Sequence, residues 1–308
     1  MIEAPADASV TILCQNEAAR IGACLASVAA SAAAGGLQIA VSVFVNGSSD
    51  GSAALAAEAA RVRGLDARIY TIAAADKANA INHAMGELRR PARLAVFADA
   101  YTVLHPGALS ALAETLEHSP DAQGVTGLAA NGRTMAAASA ATLAEGGRLN
   151  GQLHAIRPAF LDRMHAAGIT LPVGLYRGDS LLASMLCHDL DPRGTAWDSR
   201  RIAAAVGASF DIPRLSLARP ADVARLYRRK VRQMRGLLEN AAIKEVIYRG
   251  GYQALPDTAD DMIAGWLTAG GKVAASPIDR PFLLLALRQH ARAGRYEPES
   301  LRAVRLPH

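Results

Sequence analysis

The sequence has 308 residues, of which 51% are hydrophobic and 20% are charged, and its formal net charge is +5. This length and composition suit one large domain with an appendage, or two ordinary domains, and exclude a protein that lies within a membrane. Three scattered cysteines, Cys14, Cys24 and Cys187, indicate neither a disulfide framework nor a zinc site, so we predict a reducing, cytoplasmic environment.

Short apolar runs alternate with helical patterns through the first half of the chain. The runs predicted as strands are Ser9–Cys14, Ile39–Val45, Arg68–Ile72, Leu94–Ala98 and Gln123–Gly127. Their continuous apolar character is typical of strands covered on both faces. Apolar residues three and four apart predict helices between them, in the sets Ile21, Leu25 and Val28; Ile81, Met85 and Leu88; and Leu109, Leu112 and Leu116. The alternation predicts an α/β fold with a mostly parallel sheet flanked by helices.

Two features near the start of the chain bear on membrane targeting. Residues 1–7 carry no basic residue ahead of an apolar run, so no signal peptide is expected. Residues 21–45 contain no charge and are long enough to span a bilayer, but Gly35, Gly36 and Gln38 interrupt them. We interpret this stretch as a helix, a turn and a buried strand.

The alternation fades after Gly127. Residues 128–150 are rich in Ala, Gly and Ser and are predicted to form a loop or a loose helix, and from about 216 onward the pattern is mainly helical. We therefore divide the chain into residues 1–127, residues 128–215 and a helical C-terminal region, 216–308. Six of the eleven residues from Arg225 to Arg235 are Arg or Lys, and this run is either a solvated helix face or a contact for phosphate or an anionic surface.

Polar clusters follow three of the predicted strands. They are Gln15–Glu17 after the first strand, Asn46–Ser52 after the second and Asp99–Tyr101 after the fourth. Each cluster alone is compatible with ordinary turn chemistry. Because ligands of open α/β sheets bind beyond the carboxyl ends of the strands, three clusters in these places predict a ligand site at that edge.

Six segments carry a resemblance to a known family, and they are Leu13–Glu17, Val45–Ser52, Lys77–Asn82, Leu94–Tyr101, Gly178–Leu182 and Arg228–Gly236. In this order and spacing, which extends over most of residues 9–236, they resemble family 2 glycosyltransferases of the GT-A fold. The resemblance implies a GT-A-like sheet with a nucleotide-sugar-binding half over 1–127 and an acceptor-side half over 128–215. It also implies inverting transfer of a sugar from a nucleotide diphosphate sugar to a hydroxyl.

The same resemblance assigns donor-binding residues to this chain. They are Cys14, Glu17, Asn46, Lys77, Asn79, Asp99 and Tyr101. An amide oxygen at Asn46 can accept the ring N–H of a base, and Lys77 suits a place beside the diphosphate. The structural alternatives are a turn asparagine at Asn46 and an exposed lysine at the start of a helix at Lys77. Arg177, Arg228, Arg229 and Arg232 are predicted to contact phosphate or acceptor.

Asp179 is the predicted catalytic base, since inverting transfer needs a carboxylate to take the proton of the attacking hydroxyl. It stands where the family has the aspartate of a Glu-Asp pair, although Gly178 replaces the glutamate. The alternative interpretation is an ordinary aspartate at the start of a helix, with Leu181 and Leu182 packed behind it.

The resemblance also implies a divalent cation, Mg²⁺ or Mn²⁺, with Asp99 as the candidate ligand. Tyr101 replaces the second aspartate of the family's Asp-x-Asp motif, which removes one hard carboxylate ligand. Three explanations are open: a weakly bound metal with other ligands, replacement of the metal by cations such as Lys77, Arg177 and the 228–235 cluster, or lost activity.

Two rival functions stand beside sugar transfer. Tyr101 and Gly178 suggest a catalytically impaired homologue that binds a nucleotide sugar or a partner protein. A nucleotidyltransferase shares the general sheet architecture, but it usually has a glycine-rich basic loop after its first strand, and Asn16-Glu17-Ala18-Ala19-Arg20 matches that loop poorly. The expected partners are a nucleotide-sugar donor and a glycan, lipid-linked or small-molecule acceptor, without nucleic acid. The C-terminal helices predict a core or homodimer contact, or else peripheral contact with a membrane.

Overall fold

The computed structural model describes residues 5–132, 139, 145–213, 220–292 and 296–307. Among these residues, nine strands form one continuous sheet, and they are β1 Ala6–Cys14, β2 Ile39–Asn46, β3 Ala67–Ile72, β4 Ala92–Asp99, β5 Val103–Leu104, β6 Gly124–Ala129, β7 Leu153–Ile156, β8 Ile202–Asp211 and β9 Ala303–Arg305. Their spatial order is β5-β8-β6-β7-β4-β1-β2-β3-β9. The strands β5, β7 and β9 run antiparallel to their neighbours, and the others are parallel to one another.

Helices cover both faces of this sheet. They are α1 Ile21–Ala34, α2 Ser52–Val62, α3 Lys77–Met85, α4 Ala108–Glu117, α5 Pro158–Ala166, α6 Gly178–Cys187, α7 Pro220–Gly250, α8 Ala259–Thr268, α9 Arg280–Arg292 and α10 Pro298–Leu301. The predicted class, a mostly parallel α/β sheet flanked by helices with a helical C-terminal part, is confirmed. No helix within the described residues is both long and apolar enough to cross a bilayer.

Successive residues of the central strands supply two separate cores. On β1, Ile12 packs with α1 and α4 on one face, while Leu13 packs with α3, α5 and α6 on the other. The helices α7, α8 and α9 add Leu238, Ile263 and Ala286 to the second core. The strand period of two therefore puts helices on both faces, and the C-terminal helices lie on the same face as α3 and α6.

Sequence and structure differ at several elements. The helix predicted around Leu88 ends at Met85, because Gly86 caps it and the chain turns there. The uncharged stretch 21–45 is α1, a turn and β2, as predicted. Residues 128–150 were expected to form a loop or a loose helix, but Leu128 and Ala129 belong to β6, and 133–138 and 140–144 lie outside the described residues. The C-terminal region also holds β9, which pairs with β3.

Candidate functional site

The carboxyl ends of β1, β2 and β4 meet at one edge of the sheet. Register pairs Leu13 with Asp99 and Cys14 with Val45, so the polar clusters that follow these strands lie side by side. The loop after β1 bonds directly to the loop after β2. The N–H of Asn16 donates to Ser48 Oγ at 3.0 Å, and the N–H of Glu17 donates to Ser52 Oγ at 2.9 Å. The sequence prediction that these clusters share one edge is therefore met by the geometry.

Asn46 lies beneath these loops and is only 2% exposed. With its amide oriented so that both ends are satisfied, Nδ2 donates to Cys14 O at 2.9 Å and Oδ1 accepts from the N–H of Asp76 at 3.3 Å. The neighbouring Gly47 has φ +54°, and a Cβ there would overlap the backbone of Ala75. Asn46 thus ties the ends of β1 and β2 to the turn that begins α3.

Lys77 and Asp99 form the charged centre of the site. Lys77 Nζ lies 2.5 Å from Asp99 Oδ1 and 3.4 Å from Gly151 O. The Tyr101 hydroxyl donates to Asp99 Oδ2 at 2.8 Å, and Gln152 Nε2 donates to the Tyr101 oxygen at 3.1 Å. Asp99 is 6% exposed, whereas the Lys77 side chain is 43% exposed. A buried carboxylate therefore holds an ammonium group that still reaches solvent.

Gly151 and Gln152 enter the site because β7 is antiparallel to β4. The residues that precede an antiparallel strand lie at the same edge as the residues that follow its neighbour, so 151 and 152 stand beside Asp99. The resemblance placed residues 128–215 on the acceptor side without singling out Gly151 and Gln152. Gly151 and Gln152 could not be predicted as site residues because the sequence does not show that β7 runs antiparallel to β4.

Asp179 lies in the first turn of α6 and is partly buried. It packs directly against Gly151, where a Cβ would stand 3.2 Å from Asp179 Oδ2. Burial raises the pKa of the Asp179 carboxyl, and Lys77, the N–H of Ser180 and Arg177 oppose that rise. A carboxyl with a raised pKa beside a lysine is suited to accept a proton in a site sheltered from water.

The remaining predicted residues take structural contacts. Glu17 forms an ion pair with Arg20 at 2.6 Å, and Asn79 Nδ2 donates to Leu301 O at 2.8 Å. The thiol of Cys14 lies in the core, and burial raises its pKa to about 11. Hydrogen bonds to Ser52 and to the backbone of Glu17 oppose that rise, so the thiol contacts the same two loops as the backbone.

The predicted arginines lie at the α7 side of the site. Arg177 crosses α7 at Gly236, where a Cβ would stand 2.6 Å from its Nε. Arg232 is exposed on α7 and stacks over the Tyr176 ring at 5.7 Å from the centroid. Arg228 and Arg229 are exposed one turn earlier on α7. The geometry thus brings Arg177 and Arg232 close to the segment that precedes Asp179, with Arg228 and Arg229 farther along the helix.

The residues around Asp99 do not fit the divalent cation that the resemblance implies. Hard cations need several oxygen ligands, and each Asp99 oxygen already accepts one hydrogen bond, from Lys77 or from Tyr101, which leaves fewer lone pairs for a metal and places a cation, Lys77, where the metal would lie. Burial and the neighbouring Asp99 raise the pKa of Tyr101 well above its usual range, so the phenol stays protonated. No group of three His, Cys, Asp or Glu side chains in the described part of the chain is placed to hold a metal.

Comparison with known proteins gives one family and several similar structures. The model of a family described as glycosyltransferase like family 2 matches residues 5–174. A mannosyltransferase from Pyrobaculum calidifontis, solved with GDP-Man and Mn²⁺, is 16% identical with a TM-score of 0.61, covering 94% of this chain and 88% of its own. No curated protein sequence matches this chain.

Two further solved structures share the fold. TarS 1-349 from S. aureus, in complex with UDP-GlcNAc, is 15% identical with a TM-score of 0.55, covering 92% of this chain and 80% of its own. Glucosyl-3-phosphoglycerate synthase from Mycobacterium tuberculosis, in complex with Mn²⁺, UDP and glucosyl-3-phosphoglycerate, is 18% identical with a TM-score of 0.51, covering 76% of this chain and 78% of its own. At these identities the likeness establishes the architecture alone.

Proposed function

Because the chain belongs to the glycosyltransferase like family 2, we propose that it transfers a hexosyl group from a nucleotide diphosphate sugar to an acceptor hydroxyl, with inversion at the anomeric carbon. The observation that carries this proposal is the pairing of a solvent-reaching ammonium, Lys77, with a half-buried carboxyl, Asp179, across Gly151 at the carboxyl edge of the sheet. Strand ends of this kind are where open α/β sheets bind ligands.

In the proposed reaction, Asp179 accepts the proton of the acceptor hydroxyl while that oxygen bonds to the anomeric carbon of the donor. The bond from the anomeric carbon to the diphosphate oxygen breaks on the opposite side, which inverts the configuration. The electron pair leaves with the nucleoside diphosphate, and Lys77 stabilises the negative charge that develops there. The proton then passes from Asp179 to water.

We propose that residues 1–127 hold the donor, residues 128–215 form the acceptor side, and residues 216–308 support both. The backbone of the loops after β1 and β2, with Glu17 at their rim, is the proposed place for the base and ribose. Arg177 and Arg232 are proposed to face the acceptor. The similar structures were solved with GDP-Man and with UDP-GlcNAc, so a hexose donor is in keeping with them and the base is left open.

Product analysis separates this function from its two rivals. Purified protein is incubated with UDP- and GDP-linked hexoses, and separately with nucleoside triphosphates and hexose phosphates, and released nucleoside diphosphate and pyrophosphate are quantified. We expect the protein to release nucleoside diphosphate from nucleotide sugars of one base, either UDP- or GDP-linked, as the sugar is transferred. Pyrophosphate from a nucleoside triphosphate and a sugar phosphate would instead identify a nucleotidyltransferase. Tight donor binding without any turnover would identify a catalytically impaired homologue.

Nucleotide binding is expected not to depend on a divalent cation. The Kd for the preferred nucleoside diphosphate, measured by calorimetry in EDTA and in Mn²⁺, should agree within about threefold, because Lys77 already neutralises Asp99. The variant Tyr101→Asp supplies a second carboxylate and is expected to acquire Mn²⁺-dependent binding, which Mn²⁺ electron paramagnetic resonance can follow. Wild-type binding that disappears in EDTA and returns with Mn²⁺ would refute the expectation.

A further inference from the structure

The segment that delivers Asp179, residues 171–177, is held on one side by α3. We call this segment the 171–177 loop. Asn82 Nδ2 donates to Leu171 O at 2.8 Å, and Asn82 Oδ1 accepts from the N–H of Leu171 at 2.9 Å. The buried carboxylate of Asp76, which also caps α3 by accepting from the N–H of Asn79 at 2.7 Å, accepts from the N–H of Gly174. The helix that begins with Lys77 therefore fixes two points of the loop.

The opposite side of the loop is held by α7. Glu239 is fully buried, at 0% exposure, and its carboxylate accepts from the N–H groups of Tyr176 and Arg177, each at 3.1 Å. Arg235 Nε donates to Glu239 Oε1 at 2.9 Å, and the Arg235 guanidinium also donates to Gly174 O. One carboxylate thus orients the backbone two residues before Asp179.

A buried carboxylate of this kind is costly unless it is fully bonded. Burial raises the pKa of Glu239, and Arg235 and the two backbone N–H groups oppose the rise. The Glu239 side chain reaches these N–H groups with both of its oxygens. Nothing in the core packing of α7 requires a charge at this position, since its neighbours Leu238 and Ala242 are apolar and buried.

The 171–177 loop is tightly packed at Gly174, where a side chain would have little room. The φ of Gly174 is +85°, and a Cβ there would lie 3.2 Å from the Tyr296 hydroxyl and 3.5 Å from Arg235. Tyr296 itself hydrogen-bonds to Asp76. The loop is consequently enclosed at Gly174 by groups from α3, from α7 and from the segment before α10.

We propose that Glu239 is a positioning residue for catalysis, which fixes the carboxylate of Asp179 relative to Lys77 through the backbone of Tyr176 and Arg177. This inference rests on the proposed function. The helical C-terminal region then serves the reaction directly, because α7 sets the position of a base that belongs to α6. A misplacement of the base by about 1 Å is enough to cost about 10²-fold in rate without altering how the donor binds.

The variant Glu239→Gln tests this role. An amide keeps the shape but offers one acceptor oxygen and turns an NH₂ group toward a backbone N–H, so the loop must shift. We expect kcat for nucleoside diphosphate release to fall about 10- to 100-fold, with the Kd for the nucleoside diphosphate unchanged. The matched control is Glu245→Gln on the same helix, whose carboxylate accepts from Trp266 Nε1 at 2.8 Å and does not touch the loop.

A second pair of variants tests the position of the 171–177 loop while Glu239 stays unchanged. In Gly174→Ala the added methyl meets Tyr296 and Arg235 and should lower kcat in the same way. Gly168→Ala is its control: Gly168 also has a positive φ, +65°, but no atom lies within 4 Å of the added Cβ. Both positions have a positive φ, so Gly168→Ala shows what backbone strain does where the added methyl meets no other group.

The outcomes separate the inference from the function it rests on. A folded Glu239→Gln protein with wild-type kcat overturns the positioning role while the transferase function stands. A fall in kcat that merely follows a fall in the folded fraction, with Gly174→Ala equal to Gly168→Ala, overturns it as well. If wild-type protein releases no nucleoside diphosphate from any donor, the proposed function fails and the inference fails with it.

Discussion

The variant Asp179→Asn is expected to lower kcat about 10³-fold and to leave the Kd for the nucleoside diphosphate within about twofold, because the amide cannot accept the hydroxyl proton. Steady-state release of nucleoside diphosphate and calorimetric binding measure the two quantities. The control is Asp261→Asn, an exposed aspartate in the first turn of α8 whose carboxylate accepts from Thr258 Oγ1 at 2.7 Å. Asp179→Asn with wild-type kcat would remove Asp179 from the mechanism.

The pH profile gives the same residue a second test. Burial is the largest influence on Asp179 and raises its pKa above the usual value of about 4. A base must be deprotonated to work, so kcat should fall as pH falls through this raised pKa. The acidic limb of the profile should therefore lie above pH 4, and it should be absent from the residual activity of Asp179→Asn.

The contribution of Asp179 to the free energy of unfolding should fall as pH rises, whereas kcat should rise. A carboxyl whose pKa is raised by folding stabilises the fold below its unfolded-state pKa, and that contribution is lost as pH rises through the folded-state pKa. At pH 7 the ionised Asp179 is therefore unfavourable for folding, and Asp179→Asn should melt at a higher temperature than wild type. The difference should vanish near pH 3, and calorimetric melting curves at both pH values check it.

The second large effect is expected at Lys77. Lys77→Met keeps the aliphatic stem and removes the charge, so binding of a nucleoside diphosphate should weaken by about 1.5–3 kcal/mol, or about 10- to 150-fold in Kd. Binding of the matching monophosphate should change much less, since the proposed contact is to the diphosphate. The ratio of the two Kd values, measured by calorimetry, is the decisive quantity.

Two controls accompany Lys77→Met. Lys244→Met changes an exposed lysine of α7 and should leave both Kd values unchanged. Circular dichroism should show a folded Lys77→Met protein, since Asp99 keeps its bond to the Tyr101 hydroxyl. Equal weakening for the monophosphate and the diphosphate would place Lys77 away from the distal phosphate.

The parallel strands could be predicted from the sequence because a continuous apolar run indicates a strand that is buried on both faces. The runs on β1 to β4 and β6 are apolar and continuous, and their polar endings mark the functional edge. In contrast, β8 begins Ile202-Ala203-Ala204-Ala205, which is equally suited to a helix, and β7 carries a polar His154 among four residues. Their strand character comes from pairing with β6 and β4, which is tertiary information.

The contacts of the site were harder to predict than its residues. Lys77, Asp99 and Asp179 were named from sequence, but their connection through Gly151 depends on the antiparallel direction of β7. In the sequence, Glu239 is not distinguished from the other charged residues of this basic helix. Its function in holding the 171–177 loop depends on how α7 packs against α6, which no local pattern encodes. Asp76 had a usable signal, since an aspartate directly before a helical run is a common N-cap.

The central claim, that this edge of the sheet binds a nucleoside diphosphate, is tested most directly by thermal unfolding with UDP, GDP, CDP and dTDP, each with its monophosphate beside it. At 100 times Kd, a ligand stabilises the native state by about 2.7 kcal/mol, which raises the melting temperature of a chain of this size by about 5 °C. We expect such a rise with one or two of the diphosphates, smaller rises with the monophosphates, and no difference between diphosphate and monophosphate in Lys77→Met. No rise with any of the four diphosphates at millimolar concentration would contradict it.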